Sequence, residues 1–269
     1  MSAPLPFTDS DRALLTALRR DLHANPELSW KETATQARLE RALRDVGVTN
    51  VQRVVGTGLV ARIPGRSIGA PAVAVRGDID ALPITEATGL PYASKSDGVM
   101  HACGHDVHAS WAVGAALLLA RSPADGEVRI VLQPAEELGE GAKAILESGA
   151  LDGVRAIFGG HVDRRFAVGE VVAQAGPLAA STDSFTITLK GRGAHGARPH
   201  HSIDPIVGAA ALIMEVQTIV SRRLDPALPG VITVASVHGG RAANVIPELV
   251  ELSGTIRATT LATRNLLVS

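Results

Sequence analysis

Three short apolar runs, each cut off by a polar cluster, limit what this chain can fold into. AVAV (72–75) runs into RGDIDALP, EVRIVL (127–132) into QPAEE, and RAIFG (155–159) into GHV. Runs of four to six apolar residues have strand length, and the stretches between them carry helical patterns. The expected unit is therefore α/β, a mostly parallel sheet with helices on both faces. In an open sheet of that kind, ligands bind beyond the carboxyl ends of the strands. Asp78 and Asp80, Glu136 and Glu137, and His161 are then expected to meet in space although they are far apart in the chain.

Around this unit, residues 9–24 and 30–46 read as amphipathic helices. Asp9 or Ser10 caps the first, NPEL (25–28) interrupts the run, and Gly47 ends the second. VVGTGLVARIPG (54–65) reads as a hairpin, and a helix is expected from 106 or 107 to about 120. Near residue 180 the texture changes. SFTITLKG (184–191) alternates as a half-exposed strand, a helix lies within 199–223, and strands follow near 231–238 and 248–257. That order suits a smaller α+β, ferredoxin-like domain, so two domains are expected, 1–180 and 181–269.

Composition narrows the partners. The net charge is −1 and no basic run stands out, so nucleic acid and anionic membrane surfaces are not expected partners. The most apolar helical stretch, WAVGAALLLA (111–120), is about half the ~20 residues that span a bilayer. A single cysteine excludes an intramolecular disulfide, and MSAPLPFTDSDRALL lacks the build of a signal peptide. The expectation is a cytoplasmic protein.

That one cysteine sits in MHACGHDVH (100–108), among His101, His105, Asp106 and His108. If 101–105 is extended, His101, Cys103 and His105 face one side. Cysteine, histidine and carboxylate are donors that zinc or manganese takes from proteins. Of the adjacent Glu136 and Glu137, one can bind a metal while the other accepts a proton from water the metal has activated. GRGAHGARPHHSIDP, with His195, His200 and His201 among glycines, is equally a surface loop or a ligand contact. A Cys103 nucleophile would leave Glu136, Glu137 and His161 unexplained, and no GxSxG elbow, P-loop or dinucleotide fingerprint is present.

RGDIDALPI, MHACGHDVH, LQPAEELGEGAKAILESGAL, GGHV, GAHGARPHHSIDP and ANVIP occur in this order. Together they resemble the metal-dependent N-acyl-amino-acid amidohydrolases, the hippurate hydrolase and indole-acetyl-amino-acid hydrolase type, relatives of aminoacylase and the dimetal carboxypeptidases. The resemblance implies a catalytic domain with two divalent ions, zinc or manganese, and a smaller lid domain that also dimerises. It implies metal ligation by Cys103, His105, Glu137 and His161, with Asp78 orienting a ligand. Glu136 would be the general base for hydrolysis of a small N-acyl amino acid, amide or dipeptide by metal-activated water. His195 would polarise the scissile carbonyl, often across a homodimer, and Asn244 and Arg257 would bind the substrate carboxylate. The resemblance also implies a further stretch of chain after ATTLATRNLLVS, with one more histidine ligand. The alternative expectation is thus a truncated chain, an impaired or non-catalytic metal-binding and dimerisation fragment.

Overall fold

Burial on both faces organises the first sheet of the computed structural model, which describes residues 7–269. Its strands are β1 (Val51–Val54), β2 (Gly58–Ile63), β3 (Ala72–Asp78), β4 (Val128–Gln133) and β5 (Val154–Phe158), in the order β1-β2-β4-β3-β5. β4, β3 and β5 run parallel, and the expected hairpin, β1–β2, joins β4 antiparallel. Helices α1 (Asp9–Ala24), α2 (Thr33–Asp45), α3 (His105–Arg121) and α4 (Gly141–Glu147) complete this unit.

Leu59, Ala61 and Ile63 of β2 and Val128, Ile130 and Leu132 of β4 point to one face, where they pack with Leu39 and Leu43 of α2 and Ala109, Ala112, Val113 and Ala116 of α3. Val60, Ala74 and Val131 turn the other way, against Ile145 of α4. Truncating one of the buried leucines to alanine is expected to cost about 2–5 kcal/mol. At the far edge β5 is open, with Ile157 52% and Phe158 61% exposed.

The described residues divide into two compact units, one ending at Val168 and the other running Gly169–Ser269. In the second, β6 (Ser181–Lys190), β8 (Gly230–Gly239) and β10 (Leu249–Ala258) form an antiparallel sheet, β6-β10-β8. β7 (Ala194–His195) and β9 (Val245–Ile246) form a separate two-stranded ribbon. Helix α5 (Pro205–Thr218) packs Ala209, Leu212 and Ile213 near Val250 and Leu252, and α6 (Leu261–Val268) places Leu267 with Leu224, Ile232 and Ala258. The first strand of this sheet starts at Ser181, where the sequence texture changes. With its π-helical extension, α5 forms the stretch Pro205–Arg223, which by length and composition alone is apolar enough to cross a membrane. The apolar stretch at 111–120 is the buried core of α3.

Two helix starts differ from expectation, each for a side-chain reason. Thr8, not Asp9 or Ser10, caps α1, in a reciprocal capping box with Asp11. Residues 25–32 stay out of α2, whose N-cap is Glu32; the Glu32 side chain is engaged elsewhere. Asp11 also receives two bonds from the guanidinium of Arg121 at the end of α3, at 2.6 and 2.7 Å. That guanidinium, then the Thr8 amide, hold the Asp11 carboxyl well below its ordinary value of 3.8. A depressed carboxyl pKa stabilises the fold above the unfolded value and ceases to do so as pH falls through the folded one. Asp11→Asn should therefore lower Tm at pH 7, and the gap to the parent should narrow as pH falls below 3.8 in thermal melts.

Candidate metal centre

β3 and β4 are parallel neighbours, so their carboxyl ends send two acidic loops to the same edge of the sheet. The first turns of α3 pack closely on β3 because position 77 is glycine: a Cβ there would lie 2.5 Å from the carbonyl oxygen of His108. Gly104, at φ 87°, makes the left-handed turn that leads from Cys103 into the helix.

His105 is the hub of the site and is fully buried. Its Nδ1 lies 2.9 Å from the Asp80 carbonyl and 3.1 Å from Asp80 Oδ1, both acceptors, so Nδ1 carries the hydrogen. Nε2 is then the nitrogen left to take a ligand, and it is buried without a hydrogen-bond partner. Around it stand Asp78 Oδ2 and Glu136 Oε2 at 3.7 Å and Glu137 Oε1 at 3.8 Å. Glu137 Oε1 is likewise buried without a partner.

A second donor pair completes the cluster. Cys103 Sγ is 3.3 Å from His161 Nε2, and His161 Nδ1 donates to the Val162 carbonyl at 2.7 Å. His108 is tied differently. Its Nε2 accepts the Val162 amide at 3.0 Å, so its Nδ1–H donates to Asp78 Oδ1 at 2.6 Å. With both nitrogens engaged, His108 links β3 to the loop bearing His161.

Three sets of donors have ligand atoms within 4.8 Å of one another among the described residues: Cys103, His105 and His161; Asp78, His105 and His108; and His105, Glu136 and Glu137. His101 is in none of them. The extended reading of 101–105 therefore brings in Cys103 and His105 alone. His101 is buried with both ring nitrogens unpartnered, and burial pushes its pKa down to about 4.

The electrostatics of the cluster match a cation's place. Burial, and then the Glu137 charge, push the Cys103 thiol up to about 12. Burial also raises Glu137, with help from the Glu136 charge. Burial works against ionisation of Asp78 and Asp80 too. It is outweighed for Asp78 by the His108 bond and the His105 and Arg76 charges, and for Asp80 by bonds from His105, Ser29 and the Glu137 amide. A divalent cation would supply what the bare His105 nitrogen, the orphaned Glu137 oxygen and the crowded thiol lack, and nitrogen, sulfur and carboxylate oxygen are donors zinc accepts. The residues fit the group.

Asp80 belongs to this machinery more fully than its place in the sequence suggests. One oxygen faces His105, and the other accepts from Ser29 Oγ at 2.7 Å and the Glu137 amide at 3.0 Å. The alternation in GDIDALP is its signal, since i and i+2 leave a strand on one side.

In the second unit, β7 pairs with β9 so that His195 faces Val245, beside Asn244. His195 Nδ1 accepts the Ala197 amide at 3.1 Å, which leaves Nε2–H as an exposed donor. A cavity of about 460 Å³, with Gly196 and Arg241 in its lining, opens beside the ribbon. Arg257 lies elsewhere: it pairs with Val231 near the end of β10, whereas the ribbon enters β10 at Leu249. Eight residues of strand at ~3.3 Å each separate these ends by about 26 Å.

Known proteins are similar to this chain in sequence and in fold. The model of peptidase family M20/M25/M40 matches residues 74–256. N-acetyl-L-cysteine deacetylase of Bacillus subtilis (strain 168) is 45% identical over 266 residues, 98% of this chain and 64% of the relative. IAA-amino acid hydrolase ILR1-like 4 of Arabidopsis thaliana is 43% identical over 246 residues, 91% of this chain and 56% of the relative. The crystal structure of a dinuclear metal binding peptidase of the M20 family from Bacillus subtilis is similar with a TM-score of 0.78 and 40% identity, covering 96% of this chain and 67% of that one. The chain thus spans 64% and 56% of the length of these two curated relatives.

Proposed function

The chain belongs to peptidase family M20/M25/M40, and from that premise we propose that it hydrolyses the amide bond of N-acyl amino acids or related small amides and dipeptides, using two divalent ions, zinc or manganese. The observation that carries this reading is the bare, buried Nε2 of His105 with three carboxylates within 3.8 Å. The names of two relatives, a deacetylase of N-acetyl-L-cysteine and a hydrolase of IAA-amino acids, support the substrate class.

Cys103, His105, Glu137 and His161 would hold the ions, with Asp80 fixing the His105 imidazole and Asp78 holding, through His108, the loop that bears His161. Bound there, such ions supply Lewis-acid polarisation and bring the pKa of water down to ~7. Glu136 and Glu137 divide the remaining work by exposure. Glu137 is the more enclosed, 21% exposed against 39%, and its backbone is pinned to Asp80, which suits a ligand. Glu136 is open to a substrate; it accepts the proton of the attacking water and passes it to the leaving amine nitrogen. His195, through its free Nε2–H, donates to the scissile carbonyl oxygen as charge develops there. Asn244 and Arg257 bind the substrate carboxylate.

A second reading, a metal-binding and dimerising chain without turnover, is favoured by the open apolar edge at Ile157 and Phe158. Elemental analysis of the purified chain, paired with hydrolysis assays on N-acetyl- and N-benzoyl-amino acids, separates the two. Two ions per chain and chelator-sensitive release of free amino acid are expected. Bound metal without turnover supports the second reading, and activity indifferent to chelators refutes both.

A further inference from the structure

Residues 27–32, ELSWKE, look in the sequence like a break between two helices. We propose that they form a brace across the two ligand-bearing loops, and that Glu32 is a positioning residue for Glu136 and Glu137. This rests on the metal centre proposed above.

The brace bonds to the loop after β3 and to the loop after β4. The Glu27 carbonyl accepts the Ala81 amide at 2.9 Å, and Leu28 bridges to Ala81. Ser29 Oγ donates to Asp80 Oδ2, the same oxygen that receives the Glu137 amide. On the other side, Trp30 Nε1 donates to Glu140 Oε2 at 2.7 Å. Glu32 then reaches under the loop itself: Oε1 accepts the Ala135 amide at 2.9 Å and Oε2 accepts the Thr57 hydroxyl at 2.7 Å. Thr57 is held in turn, because Gln36 Nε2 donates to the carbonyls of Gly56 and Gly58 on either side of it.

Three features point to positioning rather than to packing alone. Glu32 is 0% exposed, and no Lys, Arg or His pairs with it among the described residues. A buried carboxylate held only by neutral donors is a poor choice for stability, where an apolar side chain of similar volume costs less. The residue it grips, Ala135, is fully buried at φ 48°, a conformation L-residues avoid. Ala135 is also the residue immediately before Glu136. A bond to its amide therefore sets the direction in which the chain presents both glutamates, and Asp80, tied to the same brace through Ser29, sets His105 opposite them.

The test compares Glu32→Gln, Glu32→Asp and Glu32→Ala in the full chain. The Gln variant keeps an acceptor for the Ala135 amide and can reverse the bond to Thr57; the Asp variant keeps the charge but is one methylene too short. Binding of zinc and of manganese alone is measured by calorimetry, Ala135 amide exchange by NMR in the metal-free protein, and kcat and KM where turnover is found. Glu32→Asp and Glu32→Ala should weaken metal binding about 10–100-fold, the range for losing a partner of a metal ligand. Both should also lose Ala135 protection and lower kcat with little change in KM. The Gln variant should stay within about threefold of the parent, since it preserves the acceptor that orients the site. Unchanged metal affinity and Ala135 protection in folded Glu32→Asp or Glu32→Ala overturns the proposal. So does a Gln variant as impaired as the Ala variant, or failure of both the Asp and Ala variants to fold. If the unsubstituted chain binds neither metal, the proposed function fails on its own, while loss of Ala135 protection in Glu32→Ala still upholds the brace.

Discussion

Glu136→Gln is expected to lower kcat for an N-acyl amino acid by about 10²–10⁴-fold, the range for removing a general base, with the metal content unchanged. Gln has nearly the same volume and keeps an oxygen near His105, but it does not take up a proton at neutral pH. Glu136 is 39% exposed, so the neutral side chain leaves no buried donor stranded. The site keeps Cys103, His105, Glu137 and His161 as donors. KM should change little, because the lost interaction is made with water in the transition state rather than with bound substrate. Steady-state kinetics and elemental analysis on the same preparation check this. Glu137→Gln is the control with the opposite signature, metal lost along with activity. If Glu136→Gln strips the metal and Glu137→Gln retains it, the two roles are exchanged.

His105→Ala should abolish high-affinity metal binding, weakening it by more than the ~100-fold that losing a mere orienting partner costs. His105 is the one residue common to all three donor sets, and its Nε2 is the atom the other ligands surround. Removing it also leaves Asp80 without its imidazole partner, so Asp80 no longer ties the helix start to the Glu137 amide. Calorimetric titration with zinc or manganese reads the affinity, and circular dichroism of the metal-free variant confirms that the fold survives. Affinity in the parent should fall as pH is lowered, because protons compete with metal for imidazole and thiol. Tight binding in folded His105→Ala would place the centre elsewhere.

Much of this is legible in residue order because the signals are local. Apolar runs ending at Asp78, Gln133 and Phe158 specify strands, and parallel neighbours must deliver their following loops to one edge. The family resemblance lies in motifs, and motifs are short. What residue order leaves open is equally local in origin. Strand alternation puts His101 beside Cys103 and His105, but the chain at 101–104 is not a strand, and His101 turns into the interior. NPELSWKE reads as punctuation because nothing within those residues reveals that Ala135, more than a hundred positions away, needs a partner for its amide.

What the sequence determined by itself is the set of chemical groups and the strands and helices that carry them, since periodicity and residue type act over a few positions. Only the tertiary structure decided which nitrogen of each histidine is engaged. That depends on what the ring meets: Asp80 for His105, the Val162 carbonyl for His161, and both Asp78 and the Val162 amide for His108. It also decided that Glu32 sits beneath the glutamate pair. Hydrogen-bond partners are chosen by proximity in space, and those of His105, His108 and Glu32 come from segments 25, 30 and 103 residues away.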